Sequence, residues 1–536
     1  MTFTAISKRV RAIPVSGSAR GNALSMAGGT LLSRMTGVAR IIALAYALGL
    51  HVGDAFNLAN NTPNTLYDLL LGGILASTIV PVFSSRLTTE SETRAWRSIS
   101  SIFTLTCISL MIATVLFELA SPLIIHAYAI YSHGSASSEE VRLAINLLRL
   151  FAPQLFFYGF ISVASATLYS RGHFAAPAFT PILNNIIAIA VLLVFANFYP
   201  HPSVTSVLNN SSALWLLGIG STAGVAIQAI GLIPSLIKYA PHLRVRLQYR
   251  DPAIREIIRL SGWTLGYVLA NQLALFVVTA LAFSHRGFVT AYNYAYLFFQ
   301  LPYAIVSLSI MSAVQPQLAA LWATNRSRDF SLRLSSSLKT SVTITIPFAI
   351  LYLIGSALAV RIVLLHGAMG TNGASLTSSA LVGFAFGLPG FAAFLSINQA
   401  IQSMKDARAV FTLYAIENSL NIVCALILVR TNGVFGLALA FSIAYDVAAV
   451  VGLWVLRTKG VHLLYRDIAK SWINSTVASL VGAGLALPLT RLGVHASGLV
   501  ALLYGIGVGG VFAGGFLASA AIGSRLTGRR RRGNLP

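Results

Sequence analysis

Charge is scarce in this chain, and negative charge is scarcest: 10% of the 536 residues are charged and only 14 are Asp or Glu. Soluble domains carry about a quarter charged residues, so the composition excludes a soluble globular class. The 2 cysteines, Cys107 and Cys424, both fall inside long apolar runs. That excludes a disulfide framework and a thiolate metal cluster, and leaves them as packing residues. No Walker-type glycine-rich motif is present, and no polar stretch is long enough for a nucleotide-hydrolysing domain. Acids are also sparse near one membrane face, where Asp54 and Glu118 are the few candidates. A membrane glycosyltransferase or polymerase needs carboxylates or a metal there, so an enzyme is not expected.

What the chain does have is apolar length: 56% of residues are hydrophobic and the mean hydropathy is +0.76. Runs of ~20 apolar residues cross a bilayer as helices, so an all-α polytopic membrane protein is expected. About fourteen transmembrane helices are predicted, at 22–49, 60–87, 98–130, 141–169, 175–199, 213–238, 258–284, 288–322, 335–364, 375–403, 407–429, 433–456, 468–490 and 498–524. The net charge of +23 is distributed by topology. Most Lys and Arg fall in alternate loops and both tails, from Lys8, Arg9 and Arg11 to Arg529–Arg532, whereas Arg286, Arg361, Arg430 and Arg491 are the basic residues of the opposite loops. By the positive-inside rule both termini are cytoplasmic, and nucleic acid is not the expected partner.

A faint duplication runs through the chain. Pro63 and Pro81 recur as Pro302 and Pro316, and Ser170, Thr180 and Asn185 recur as Ser403, Thr412 and Asn421. The predicted organisation is a basic tail (1–21), two six-helix lobes (22–242 and 243–459), two extra helices (460–524) and a second basic tail (525–536).

Two arginines, Arg34 and Arg40, stand inside the first span. A guanidinium near the bilayer centre costs ~2.5–3.5 kcal/mol on insertion scales. Two in one span point to a wet, protein-lined cavity with an anionic cargo, or to side chains that snorkel or pair with an acid. Counted as a hairpin from residues 22 and 87, Arg40 shares its depth with Asp68, an ion-pair partner or a transport residue. Gly37 between the arginines permits a bend that would bring both to one phosphate-bearing lipid. Asp54 through Asn64 is polar and contains Pro63, so it reads as the lining of an outer gate or as a capped helix start. Gly72-Gly73 reads as a hinge or a close helix contact.

Ser33-Arg-x-x-Gly-x-x-Arg40, Asp54-Ala-Phe, Pro63-Asn64 and Val80-Pro-Val82 resemble the opening of MurJ/MviN lipid II flippases, and Tyr67-Asp-Leu-Leu-Leu-Gly-Gly73 is similar to the actinobacterial branch. The resemblance implies the multidrug/oligosaccharidyl-lipid/polysaccharide exporter fold, with two lobes around a central cavity that opens to each side in turn. It implies a cargo of lipid II, the undecaprenyl-pyrophosphate-linked peptidoglycan precursor, moved to the outer leaflet of the bacterial cytoplasmic membrane. The alternatives are export of another polyprenyl-linked glycan or a drug, or a non-transporting cell-wall scaffold. Substrate-binding residues are then Arg34 and Arg40 with Ser33, Gly37, Asp68, Asp54 and Asn64. The chain departs from many relatives at Ile41, Tyr67-Asp68 and Leu297, where those carry charged residues. Expected partners are lipid II, bacterial membrane lipids, and cell-wall synthesis and division proteins.

The resemblance also implies a sodium ion among the seventh, eleventh and twelfth spans, for which Asn271, Glu417 and Asn421 supply oxygens. Interhelical hydrogen bonding is the other reading, and no other cofactor or metal is expected. Asp446 is a further intramembrane acid. Tyr292, Tyr294, Tyr296 and Tyr303 with Phe298 and Phe299 form an interfacial belt or sugar-contacting faces. Gly505, Gly509, Gly510 and Gly514 on the last span signal tight packing, and the resemblance allows the last two spans to form a prenyl-tail groove.

Overall fold

The computed structural model describes residues 19–68, 79–131, 138–248, 252, 254, 262–496 and 498–532. The chain divides into two compact units, Met1–Gln272 and Leu273–Pro536. With few polar side chains to satisfy backbone groups in a bilayer, the apolar runs close their hydrogen bonds within helices, and the described residues of both units are predominantly helical.

The first unit contains α1 (Ala19–Leu48), α2 (His51–Tyr67), α3 (Val80–Thr89), α4 (Glu92–Tyr128), α5 (Ser138–Phe151), α6 (Pro153–Ser170), α7 (Ala175–Phe198), α8 (Val204–Leu208), α9 (Ser211–Ile230) and α10 (Ile233–Tyr239). Helix α1 packs along α7, α7 along α9, and α2 on α5 and α6. The α1–α7 contact depends on Gly29, where a Cβ would lie 2.8 Å from the Cβ of Ala178 and 3.0 Å from its backbone. The fourth predicted span is two helices, α5 and α6, bent by 42°. Pro153, first residue of α6, lacks the N–H that would continue α5.

Helix α11 (Gly262–Phe283) carries the chain across the division between units. The second unit continues with α12 (Phe288–Pro302), a π turn at Tyr303–Ser307 and α13 (Leu308–Ala323). It ends with α14 (Ser327–Leu364), α15 (Thr371–Ser403), α16 (Ala407–Thr458), α17 (Tyr465–Gly493) and α18 (Gly498–Arg532). Gly433, at φ 56° and ψ −135°, breaks α16. The Phe394 ring lies 5.4 Å from that of Tyr414 and 5.2 Å from that of Tyr445. Those tyrosines would be ~46 Å apart on a straight helix, so the chain folds back at Gly433. Spans predicted at 407–429 and 433–456 are its two arms.

Among the described residues, ten helices are long and apolar enough to cross a membrane, and the bent α5–α6 pair makes an eleventh. The expected fourteen is not reached by this count for identifiable reasons. Residues 69–78 of the second predicted span lie outside the described residues, the seventh is described as the shorter apolar helix Val268–Phe283, and both arms of α16 form one run. Gly72-Gly73 and residues 1–18 of the basic tail also lie outside the described residues, while α18 continues helical to Arg532.

The duplication has a structural counterpart in the non-helical straps that follow α10 and α16. In the first unit, the N–H groups of Arg244 and Arg246 donate to Ser100 Oγ (3.1 Å) and Thr104 Oγ1 (3.0 Å) on α4. In the second, the N–H groups of His462 and Leu464 donate to Ser331 Oγ (3.1 Å) and Ser335 Oγ (3.0 Å) on α14. Each strap thus offers alternate N–H groups to two hydroxyls one helical turn apart.

Candidate functional site

Helix α1 runs unbroken through Gly37, so the expected bend is replaced by a continuous helix with Arg34 exposed and Arg40 half-buried. Ser33 and Thr36 face α7. Asn185 Nδ2 donates to the Ser33 carbonyl (3.1 Å) and to Thr36 Oγ1 (2.9 Å). The Thr36 hydroxyl itself donates to the carbonyl of Leu32 or Ser33, each at 3.0 Å. A Cβ at Gly37 would lie 3.8 Å from Asn185 Nδ2, an ordinary contact. This amide clamp is one residue from Arg34 and about one turn from Arg40, and it fixes the segment of α1 that presents both guanidiniums.

Around Arg40 the first unit gathers tyrosines instead of an acid. No ion pair joins Arg40 to Asp68 among the described residues; Tyr158 is in electrostatic range of both. Equal depth on a hairpin does not fix which way each helix face points, so two charges counted to one level need not meet. Tyr67 Oη donates to Ser162 Oγ at 2.7 Å, and its ring lies 6.1 Å from that of Tyr158. Tyr158 Oη donates to Gln154 Oε1 at 3.4 Å, and Gln154 Nε2 to Thr222 Oγ1 at 3.3 Å. A chain of neutral donors and acceptors therefore leads from Tyr158 through Gln154 to Thr222.

Asp54 and Asn64 lie within α2, which starts at His51, twelve residues before Pro63. The helix start expected at Pro63 is therefore replaced by a helix that runs through it. Asp54 is buried at 3% exposure, whereas Asn64 is exposed. Thr62 Oγ1 donates to the Leu58 carbonyl at 2.6 Å, one of the internal bonds that make a polar helix tolerable.

In the second unit Glu417 is 1% exposed, and neither its Oε2 nor Asn421 Oδ1 has a hydrogen-bond partner among the described residues. Tyr292, Tyr296 and Tyr445 are in electrostatic range of Glu417. Asn271 belongs to the first unit. Among the described residues no group of three or more His, Cys, Asp or Glu could hold a metal ion. Asp446 fills the notch left by Gly390 on α15, where a Cβ would come within 1.7 Å of its Oδ1.

The expected aromatic belt is instead a packed cluster of α12, α15 and α16. Phe299 lies 5.2 Å from Phe384 and 5.5 Å from Phe441 between ring centroids, and Tyr303 4.8 Å from Phe391. Belts and membrane cores use the same residues, so the composition of the segment could not separate them. Of the four glycines read as packing positions, Gly505 alone is crowded, an added Cβ lying 2.6 Å from Ile362 of α14, whereas Gly509, Gly510 and Gly514 face open space. The close approach of the last two spans is at Gly482 of α17, where a Cβ would lie 2.6 Å from the Phe512 carbonyl oxygen of α18. The open apolar groove, about 300 Å³, lies between α14 and α18, lined by Leu358, Ile362, Leu502, Gly505 and Ile506 among others.

A family profile described as Lipid II flippase MurJ matches residues 44–506. The chain belongs to the MurJ lipid II flippase family. The match begins after Arg34 and Arg40, so membership does not depend on them. A probable lipid II flippase MurJ from Rhizobium tropici is 24% identical over 470 residues, covering 87% of this chain and 86% of the relative. The lipid II flippase MurJ of Thermosipho africanus is 24% identical over 454 residues, covering 84% and 88%. A solved lipid II flippase MurJ in an inward closed conformation is similar at TM-score 0.75 and 22% identity, covering 94% of this chain and 99% of that one. An inward-facing MATE multidrug transporter of the MOP superfamily is similar at TM-score 0.67 and 15% identity, covering 82% and 98%. The chain therefore shares its fold with these solved flippase and multidrug-transporter structures, and it is a multi-pass membrane protein.

Proposed function

We propose that this protein flips lipid II from the cytoplasmic to the outer leaflet of the bacterial cytoplasmic membrane, with both termini cytoplasmic. The observation that carries the reading is the family match across 44–506, and the chemistry of α1 supports it. Arg34 and Arg40 supply fixed positive charge suited to a pyrophosphate, and Ser33 and Gly37 lie on the segment that Asn185 holds. Asp54, Asn64 and Asp68 complete the proposed cargo residues in roles less direct than the arginines.

Export of a pyrophosphate with about two negative charges from a negative interior gains ~4–5 kcal/mol per 100 mV, provided the protein's own charges stay in place. The membrane potential can then drive transport. Within the second unit, Glu417 and Asn421 are proposed to bind sodium as a separate resetting step, supported by their unpartnered oxygens.

The test is lipid II binding by single variants. Each charge-assisted contact is worth ~1.5–3 kcal/mol, so Arg34→Ala and Arg40→Ala each weaken binding about 10- to 100-fold at normal expression. Unchanged affinity in both variants removes the arginines from the cargo site.

A further inference from the structure

The strap at residues 244–248 carries exposed groups outside the proposed cargo residues. Its N–H groups at Arg244, Arg246 and Gln248 donate to Ser100, Thr104 and Ser101 on α4, and Ser101 Oγ donates back to the Gln248 carbonyl at 3.0 Å. Facing α4 with every second N–H is the periodicity of extended chain, which sends alternate side chains to opposite sides. Arg244 and Arg246 share one side, and Val245 and Leu247 the other. All four are exposed, Val245 at 89% and Leu247 at 65%. Apolar side chains held so far out on a pinned backbone call for an apolar surrounding.

The level of the strap supplies that surrounding. Charges at the start of α4 end with Arg97, and the helix has none from there to Glu118. The hydroxyls of Ser100 and Thr104 lie ~5 and ~11 Å beyond Arg97 along the axis, where α4 passes from charged to apolar. The apolar run Ser211–Tyr239 ends just before the strap with Lys238 in its last turn and Ile237 exposed at 70%. Nearby Arg171 is engaged over the Trp96 ring at 5.9 Å, and Glu92 faces His242 at 4.0 Å, which leaves the strap with an excess of positive charge.

We propose that this strap is a binding site for the anionic phospholipid headgroups of the inner leaflet, with Arg244 and Arg246 on the phosphates and Val245 and Leu247 among the upper acyl chains. It rests on the cytoplasmic placement of this face, which follows from the positive loops, and is independent of the cargo assignment. Juxtamembrane basic residues attract anionic lipid by about fivefold in affinity each.

The test uses the full-length protein in detergent, titrated separately with phosphatidylglycerol, phosphatidylcholine and lipid II and read by native mass spectrometry. Wild type retains phosphatidylglycerol over phosphatidylcholine. The R244Q/R246Q double variant loses about 25-fold in phosphatidylglycerol affinity, with phosphatidylcholine and lipid II unchanged. R244K/R246K, which keeps the charge, keeps the preference. Equal retention of phosphatidylglycerol by wild type and the glutamine variant overturns the proposal, as does an equal loss in the lysine variant. A loss confined to lipid II assigns the arginines to the cargo and overturns it as well.

Discussion

The Asn185 clamp makes a quantitative demand on α1. Its Nδ2 donates to Ser33 O and Thr36 Oγ1, and among the described residues no other side chain bonds this stretch of α1 to α7. At ~1 kcal/mol for each neutral bond, Asn185→Ala costs ~2 kcal/mol and Thr36→Val, which removes one acceptor, ~1 kcal/mol. Losing the hydroxyl's own bond to the preceding turn adds little, because such back-bonding slightly destabilises a helix. The double variant should cost ~2 kcal/mol, leaving a coupling energy of ~1 kcal/mol. The assay is reversible unfolding of purified protein in detergent, paired with lipid II binding. Binding should weaken in Asn185→Ala although residue 185 carries no charge, because Arg34 and Arg40 are then less well held. Fully additive losses, or unaltered binding in Asn185→Ala, refute the clamp.

Two further outcomes follow from the second unit. Asp406 caps α16 by accepting from Ala409 N at 2.9 Å, and its bond to Lys459 Nζ holds its carboxyl below the usual carboxylate range. With the folded pKa depressed, the pair stabilises above the ordinary carboxylate pKa and that contribution is lost as pH falls through the folded value, below about 4. Asp406→Asn keeps the cap acceptor and should flatten the acid limb of a stability–pH profile; an unaltered profile contradicts the pairing. If Glu417 and Asn421 hold sodium, salt at a hundredfold excess over Kd should stabilise wild type by ~2.7 kcal/mol against potassium controls. Glu417→Gln should abolish that difference, and its survival would exclude Glu417 as a ligand.

Hydropathy made most spans legible because a bilayer leaves a long apolar run few options. It failed where polarity and helix coincide, as in α2 with its buried Asp54, and where one proline splits a span, as at Pro153. The arginines were visible as anomalies, but their supports were not. In the sequence Asn185 stands out only as a repeat counterpart of Asn421, since packing decides which buried amide meets which helix. Tyr158 carried no sequence signal at all. The strap hydroxyls, Ser100 and Thr104 with Ser331 and Ser335, gave the duplication a physical form that the scattered prolines had only hinted at.

The most direct measurement is movement of labelled lipid II between the leaflets of proteoliposomes under an imposed inside-negative potential, for wild type and the R34A/R40A double variant. Wild type should transport lipid II outward well above protein-free vesicles, more slowly once the potential is collapsed, and the double variant should lose most of that transport. Wild type indistinguishable from protein-free vesicles would contradict lipid II flipping, and a fully active double variant would contradict the arginine site.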